Sequence, residues 1–385
     1  MRTGIARAKR VKWVLLLVVA MAVVAIAGCS RPTPSGTGGA PTAVKIGALL
    51  ALTGSGANYG KSLRNGIEIA RDEINRSGGI NGRPLEVVYE DSQGDAKTGL
   101  AGFDKLVNVD KVPVVLGSIS SVILAVAPVA DRKQVVFLNS SAISPKICEA
   151  AGNYLFSIMP SGAQESEFMA KELARRHKGQ LIAVLYSNNS SGVGTKDAFV
   201  PAMQAAGGKI AAALSYELGA TDFRTQLAKI KASGAKACYL IAFSSKEWAD
   251  ILNQAKQLGL STQWYSYSGI ETDETLRLAG TAANGIIYSY PAYQGTRALM
   301  DKFQDAYRAK HGTWADIYTV TSYDGMMMLA SVMRKDGITA TAIRDGLRRA
   351  GAYSGIFGEI RFNKKQYVDK PLLLKTVRKQ RFETL

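Results

Sequence analysis

Histidine is nearly absent from these 385 residues, with two in the whole chain, and cysteine is scarce, with three. General-base chemistry near neutral pH falls most often to histidine. Here it would have to run through His177 or His311. Each is followed within two residues by a glycine at an apparent helix end, an arrangement that serves the helix terminus. No G-x-S-x-G elbow is present, and neither Cys148 nor Cys238 has metal-ligand spacing. The expectation is a protein that is not an enzyme and needs no cofactor and no metal. Long hydrophobic runs are missing too: the longest, 13–27, is short for a membrane span. A basic run interleaved with aromatics is also absent. The formal charge is +17, but its lysines and arginines are scattered through helical segments, which speaks against nucleic acid as a partner.

What is there begins with a leader. Arg2, Arg7, Lys9, Arg10 and Lys12 form a basic stretch without an acid. The apolar run follows, then Ile26-Ala27-Gly28-Cys29. Small residues ending in cysteine are the pattern of a bacterial lipoprotein signal. The reading is a signal peptide over 1–28, cleavage before Cys29 and lipidation of its sulfur, with an uncleaved anchor helix as the alternative. The protein is therefore expected to be exported and lipid-anchored on the extracytoplasmic face of a membrane. Removing the five leader charges leaves +12 on the mature chain. Residues 29–43 are rich in Pro, Gly, Ser and Thr, too polar to pack, and read as a flexible tether.

The folded part is organised around Val112 to Pro145. An apolar strand (Val112, Val114, Val115, Leu116) runs into Gly117-Ser118-Ile119-Ser120-Ser121. A helix-length segment containing Pro128 follows, then a second strand (Val135, Val136, Phe137, Leu138) ending in Asn139-Ser140-Ser141-Ala142. This is the βαβ signature of a parallel sheet, in which ligands bind beyond the carboxyl ends of the strands. Ser121 stands where an N-cap belongs. It either caps the helix only, or offers its hydroxyl and the free N–H groups behind it to a carboxylate. Strands and helices alternate from Val44 onward without interruption, an order that suits two α/β lobes joined by several crossings. The loop from Gly54 to Gly60 spells G-x-G-x-x-x-G, one residue longer than a dinucleotide loop, and it does not meet the P-loop pattern with its lysine.

Several motifs, taken in order, resemble a known family. They are Ile46-Gly47, Leu52-Thr53-Gly54, Tyr59-Gly60, Asn65-Gly66, Glu73-Ile74-Asn75, the run Gly78 to Pro84, Glu90-Asp91, Gly117 with Ser121, Ala125 to Pro128, Ser141-Ala142 with Pro145, and Thr221-Asp222-Phe223. Together they are similar to the branched-chain amino-acid (leucine/isoleucine/valine)-binding branch of the type I periplasmic binding proteins of ABC transporters. The resemblance spans Val44 to Val377. It implies an α/β fold of two Rossmann-like lobes with parallel sheets, a ligand cleft between them, and three hinge crossings near 156–161, 288–292 and 355–359. Lobe 1 would be 44–158 with 290–356, and lobe 2 would be 159–289 with 357–385. Closure over a ligand is the hinge motion for which such proteins are the standard example.

The resemblance also assigns a site. Ser121 aligns with a carboxylate-binding serine, Ala142 with a residue whose carbonyl takes the ligand ammonium, and Tyr59 with an aromatic covering the aliphatic tail. Ile143 stands where the family has a threonine, keeping only its backbone N–H. Ser191 and Ser244, the latter beside Ser245, stand in place of cleft aromatics. Ser268 replaces the glutamate that pairs with the ammonium, and Glu271 or Asp273 is close enough in sequence to substitute. A buried ammonium without a counter-charge is costly. The implied ligand is therefore an amino acid held otherwise, or a carboxylate or amide lacking the ammonium. The implied partners are ABC permease and ATPase subunits around a monomeric binding protein. A sensory module signalling to a membrane receptor is the alternative.

Overall fold

Runs such as Val114–Leu116 and Val136–Leu138 have no polar face, and strands of that kind belong in parallel sheets buried on both sides. A computed structural model describes residues 42–385 apart from 151, 294 and 296. The expected signal peptide, Cys29 and all but the end of the tether lie outside the described residues. The first sheet has the order β2-β1-β3-β4-β5, formed by β1 (Val44–Leu50), β2 (Leu85–Asp91), β3 (Val114–Gly117), β4 (Val136–Asn139) and β5 (Leu155–Ser157). Every neighbouring pair in it is parallel, with Val44 opposite Leu85 and Gly117 opposite Asn139. Three helices connect these strands: α1 (Ala57–Arg76), α2 (Ala96–Asn108) and α3 (Ser120–Lys133). Pro128 lies inside α3 without ending it.

After α4 (Gly162–Arg176) the chain builds a second sheet from β6 (Leu181–Ser187), β7 (Lys209–Tyr216), β8 (Ala237–Ile241), β9 (Gln263–Ser266) and β10 (Ile287–Pro291). The intervening helices are α5 (Ser190–Ala205), α6 (Arg224–Ala232), α7 (Ser245–Gln257) and α8 (Asp273–Ala279). Its parallel core, β10-β9-β8-β6-β7, is extended by β13 (Leu372–Arg378) and β14 (Arg381–Thr384), both antiparallel. Among the described residues no helix is long and apolar enough to cross a membrane.

Between β10 and β13 the chain returns to the first sheet through α9 (Arg297–His311), α10 (Ile317–Asp336) and α11 (Ala340–Arg349). Helix α10 packs along α1 closely enough that only glycine fits at position 66. A Cβ there would lie 2.1 Å from the Thr319 carbonyl oxygen and 2.2 Å from the Ser322 hydroxyl. The chain thus passes between sheets three times. The first two passages follow β5 and β10. The third lies later than 355–359. Those residues fall in a hairpin, β11 (Tyr353–Gly355) with β12 (Gly358–Ile360). Tyr367 still bridges to Ser157 at the edge of the first sheet, and the second sheet is joined only at Leu372. The hairpin stays behind because Asp324 of α10 accepts the backbone N–H groups of Ile356 and Phe357 at 2.8 and 2.9 Å.

Candidate functional site

The carboxyl ends of both parallel cores face one another, and a small cavity of about 30 Å³ lies between them. That is room for one or two waters. The first sheet contributes Tyr59 from α1, Ile119 and Ser120 at the start of α3, and Ser141, Ala142 and Ile143 after β4. The second contributes Ser191 from α5, Phe243 after β8 and Tyr267 after β9, and α10 adds Tyr318.

Local chemistry explains why these residues meet. Helix α3 begins at Ser120 and has no side-chain cap, because its N-cap position is Ile119, held at φ +65°. A β-branched residue in that region is strained, and strain of this kind concentrates at binding sites. The first N–H groups of α3 are therefore left to whatever occupies the cleft. The turn after β4 is pinned by Asn139. Its amide oxygen accepts the N–H groups of Ser141 and Ala142, and its nitrogen donates to the Ala142 carbonyl at 2.8 Å. Ser141 is 8% exposed and its hydroxyl has no hydrogen-bond partner. On the second lobe Asn189 caps α5, accepting the Gly192 N–H at 2.8 Å. That starts the helix at Ser190 and brings Ser191 into its first turn.

Of the residues singled out from sequence, Tyr59, Ala142, Ile143 and Ser191 line this cavity. Three others do not. Ser121, one position past Ser120, donates to the Gly94 carbonyl at 2.8 Å and lines a neighbouring pocket. Ser244 accepts the Glu247 N–H and caps α7, while its neighbour Phe243 reaches the cavity. Ser268 donates its hydroxyl to Glu165 at 2.9 Å, and its neighbour Tyr267 takes the lining position. The second lobe therefore does carry aromatic surface, one residue before each serine. Tyr318 had no sequence signal beyond its place in an apolar helix.

Neither proposed replacement for the ammonium-binding glutamate reaches the cavity. Glu271 is ion-paired with Lys375 at 2.5 Å and accepts the Tyr288 hydroxyl at 2.5 Å. Asp273 accepts the Thr313 hydroxyl and the Trp314 N–H at the cleft rim. Three other acids stand behind the lining. Glu165 is buried and bound by the hydroxyls of Ser268 and Ser289. Burial pushes its carboxyl up, against the pull of those donors. Glu247 accepts Tyr216, Gly219 and Phe243, and Asp316 accepts Ser62 and Thr319. No group of acids, histidines and cysteines among the described residues has the geometry to hold a metal ion. Cys148 and Cys238 are both free thiols.

With this geometry in hand, the comparisons place the chain. The profile of the periplasmic binding protein family matches residues 43–379. The leucine-, isoleucine-, valine-, threonine- and alanine-binding protein of Pseudomonas aeruginosa is 27% identical over 323 residues, 84% of this chain and 86% of that protein. The branched-chain amino acid transporter substrate-binding protein of Streptococcus pneumoniae, solved with isoleucine, superposes with a TM-score of 0.81. It is 24% identical and is covered to 98%, over 89% of this chain. A solute-binding protein of an ABC transporter from R. palustris, solved with benzoate, gives 0.81 at 17% identity, with 89% of this chain and 95% of that one covered. At these identities the structural likeness establishes the fold: two parallel-sheet lobes around a ligand cleft. With the profile covering nearly all of the described residues, the chain belongs to the periplasmic binding protein family.

Proposed function

We propose that this protein is the extracytoplasmic solute receptor of an ABC importer, tethered by a lipid on Cys29, and that it captures a small carboxylate by closing its two lobes. The observation that carries the reading is the uncapped start of α3, with Ser120 and the unpartnered Ser141 hydroxyl facing the cavity. Free helical N–H groups plus hydroxyl donors suit an anion. No charged side chain is among the lining residues, so a primary ammonium has no carboxylate to pair with there. Leucine, isoleucine and valine are therefore expected to bind weakly. A sensory module with the same cleft would bind the same ligand, and genes for a permease and an ATPase beside this one would decide for import. Direct titration of the full chain in mild detergent tests the reading, using aliphatic, aromatic and amino carboxylates beside their methyl esters. Acids should bind and esters should not. Binding of neither overturns the reading, and submicromolar leucine would show that a primary ammonium is accommodated after all.

A further inference from the structure

Four aromatic rings line the cavity, Tyr59 and Tyr318 from one lobe and Phe243 and Tyr267 from the other. Tyr59 stands edge-on to Phe243 (5.9 Å, 75°) and to Tyr318 (4.9 Å, 66°). Rings at such angles meet as walls of a box and not as a stack. The charged groups acting on this box are all acidic. Burial raises the pKa of all three tyrosines. After burial and the neighbouring tyrosines, Tyr59 feels Glu247 and Asp316, and Tyr267 feels Glu165 and Glu247. After burial, Tyr318 feels Asp316 and Glu165. Glu165 and Glu247 are 1% and 2% exposed, and Asp316 is half-buried. The hydrogen bonds found for the three come from hydroxyls and backbone N–H groups, and among the described residues no cation lies within ion-pair distance of any of them.

An aromatic box backed by three acids with no cation beside them favours a cation over a neutral hydrocarbon. The cation it favours has no N–H to satisfy. The Tyr59 and Tyr267 hydroxyls already donate to the carbonyls of Phe243 and Ala242, and the Ala142 carbonyl already accepts from Asn139. A primary ammonium would find few acceptors for its three protons, whereas a fully methylated ammonium needs none. The same cavity is lined by the start of α3 and by Ser141, whose buried hydroxyl has no partner. We propose that the ligand is a quaternary-ammonium carboxylate, a betaine-type zwitterion, with its methylated cation in the Tyr59–Phe243–Tyr267–Tyr318 box and its carboxylate on Ser120, Ser141 and the start of α3. The proposal rests on the carboxylate reading above and adds the chemistry of the other end.

The test is titration of the full chain in mild detergent with trimethylglycine and 4-trimethylammoniobutanoate. The comparison ligands are 3,3-dimethylbutanoate, the isostere of trimethylglycine with carbon in place of the cationic nitrogen, together with leucine and benzoate. At least one betaine should bind on the order of tenfold or more tighter than the isostere, the yield of a desolvated cation–π contact. Tyr318→Leu should erase that preference and Tyr318→Phe should keep it. Phe243→Leu serves the same purpose should Tyr318→Leu fail to fold. The isostere binding as well as the betaines would overturn the cationic box and leave the carboxylate reading standing, as would leucine or benzoate binding with no betaine bound. If no carboxylate binds at all, both fall.

Discussion

Ser120 and Ser121 differ by one position and by what their hydroxyls can reach. Ser120 lines the cavity and accepts the Ser144 N–H at 3.2 Å, while Ser121 is spent on the Gly94 carbonyl. If the carboxylate sits on Ser120, Ser120→Ala should weaken binding by about 1.5–3 kcal/mol, the range for a hydrogen bond to a charged group. That is roughly ten- to a hundredfold in dissociation constant. Ser121→Ala should cost about 1 kcal/mol of stability and leave affinity nearly unchanged. Calorimetry beside thermal melts checks both, and equal losses of affinity in the two variants would sink the assignment. The pair also shows what was legible in the sequence. The stretch was readable because Gly and Ser after an apolar strand mark a cleft-facing turn. Which of two adjacent residues faces inward was not, since a one-residue offset changes the side. At Phe243-Ser244 and Tyr267-Ser268 the sequence reading picked the polar residue. There the serine hydroxyl caps a helix or bonds a buried acid, and the aromatic neighbour lines the cavity.

At the scale of elements, strand and helix order was legible from hydrophobic periodicity, because parallel strands buried on both faces leave an unbroken apolar run. The third crossing was not legible, because what holds the hairpin back is one side chain distant in sequence. Asp324, 2% exposed on α10, fastens β11 and β12 through two backbone N–H groups. Burial pushes its pKa up to about 6, even though those N–H groups and Lys370 pull it down. The folded protein then keeps a proton that the unfolded chain, at the ordinary 3.8, has lost. The sign follows: this contribution is fully present below about pH 4 and is lost as pH rises through about 6, on the order of 3 kcal/mol at most. Glu165, Glu271 and Asp316 are also raised, so the informative quantity is a difference. Denaturant melts across pH 4 to 7 should show a shallower decline for Asp324→Asn than for the parent. Parallel curves would mean that Asp324 stays ionised in the folded state.

For the whole molecule, the closure proposed above would depend on contacts that span the lobes, and the rim carries one that the cavity does not use. Asp273, the first residue of α8 on the second lobe, accepts the Thr313 hydroxyl at 2.7 Å and the Trp314 N–H at 3.1 Å. Both donors come from the connection between α9 and α10, on the side of the first sheet. Large chambers of about 800 and 820 Å³ flank this contact, with Asp273, Trp314 and Asp316 lining both. Other contacts that span the lobes lie deeper, where the Tyr59 hydroxyl donates to the Phe243 carbonyl and Asn58 reaches Ser245 at 3.4 Å. Solvent at the rim weakens each bond, and loss of the rim contact is worth about 1–2 kcal/mol. Asp273→Ala should therefore speed release of the tightest-binding carboxylate about 5- to 30-fold. Association should change little, since release sets most affinity differences among variants of one site. Asp273 also favours the α8 N-terminus through its charge, so Thr313→Val, which leaves that charge in place, is the cleaner variant. It should show part of the same acceleration, and adding it to Asp273→Ala should give nothing further, because the two residues form one bond. Stopped-flow release kinetics decide the matter: an unchanged rate in Thr313→Val would mean that the aromatic box and the hinge hold the lobes shut without the rim.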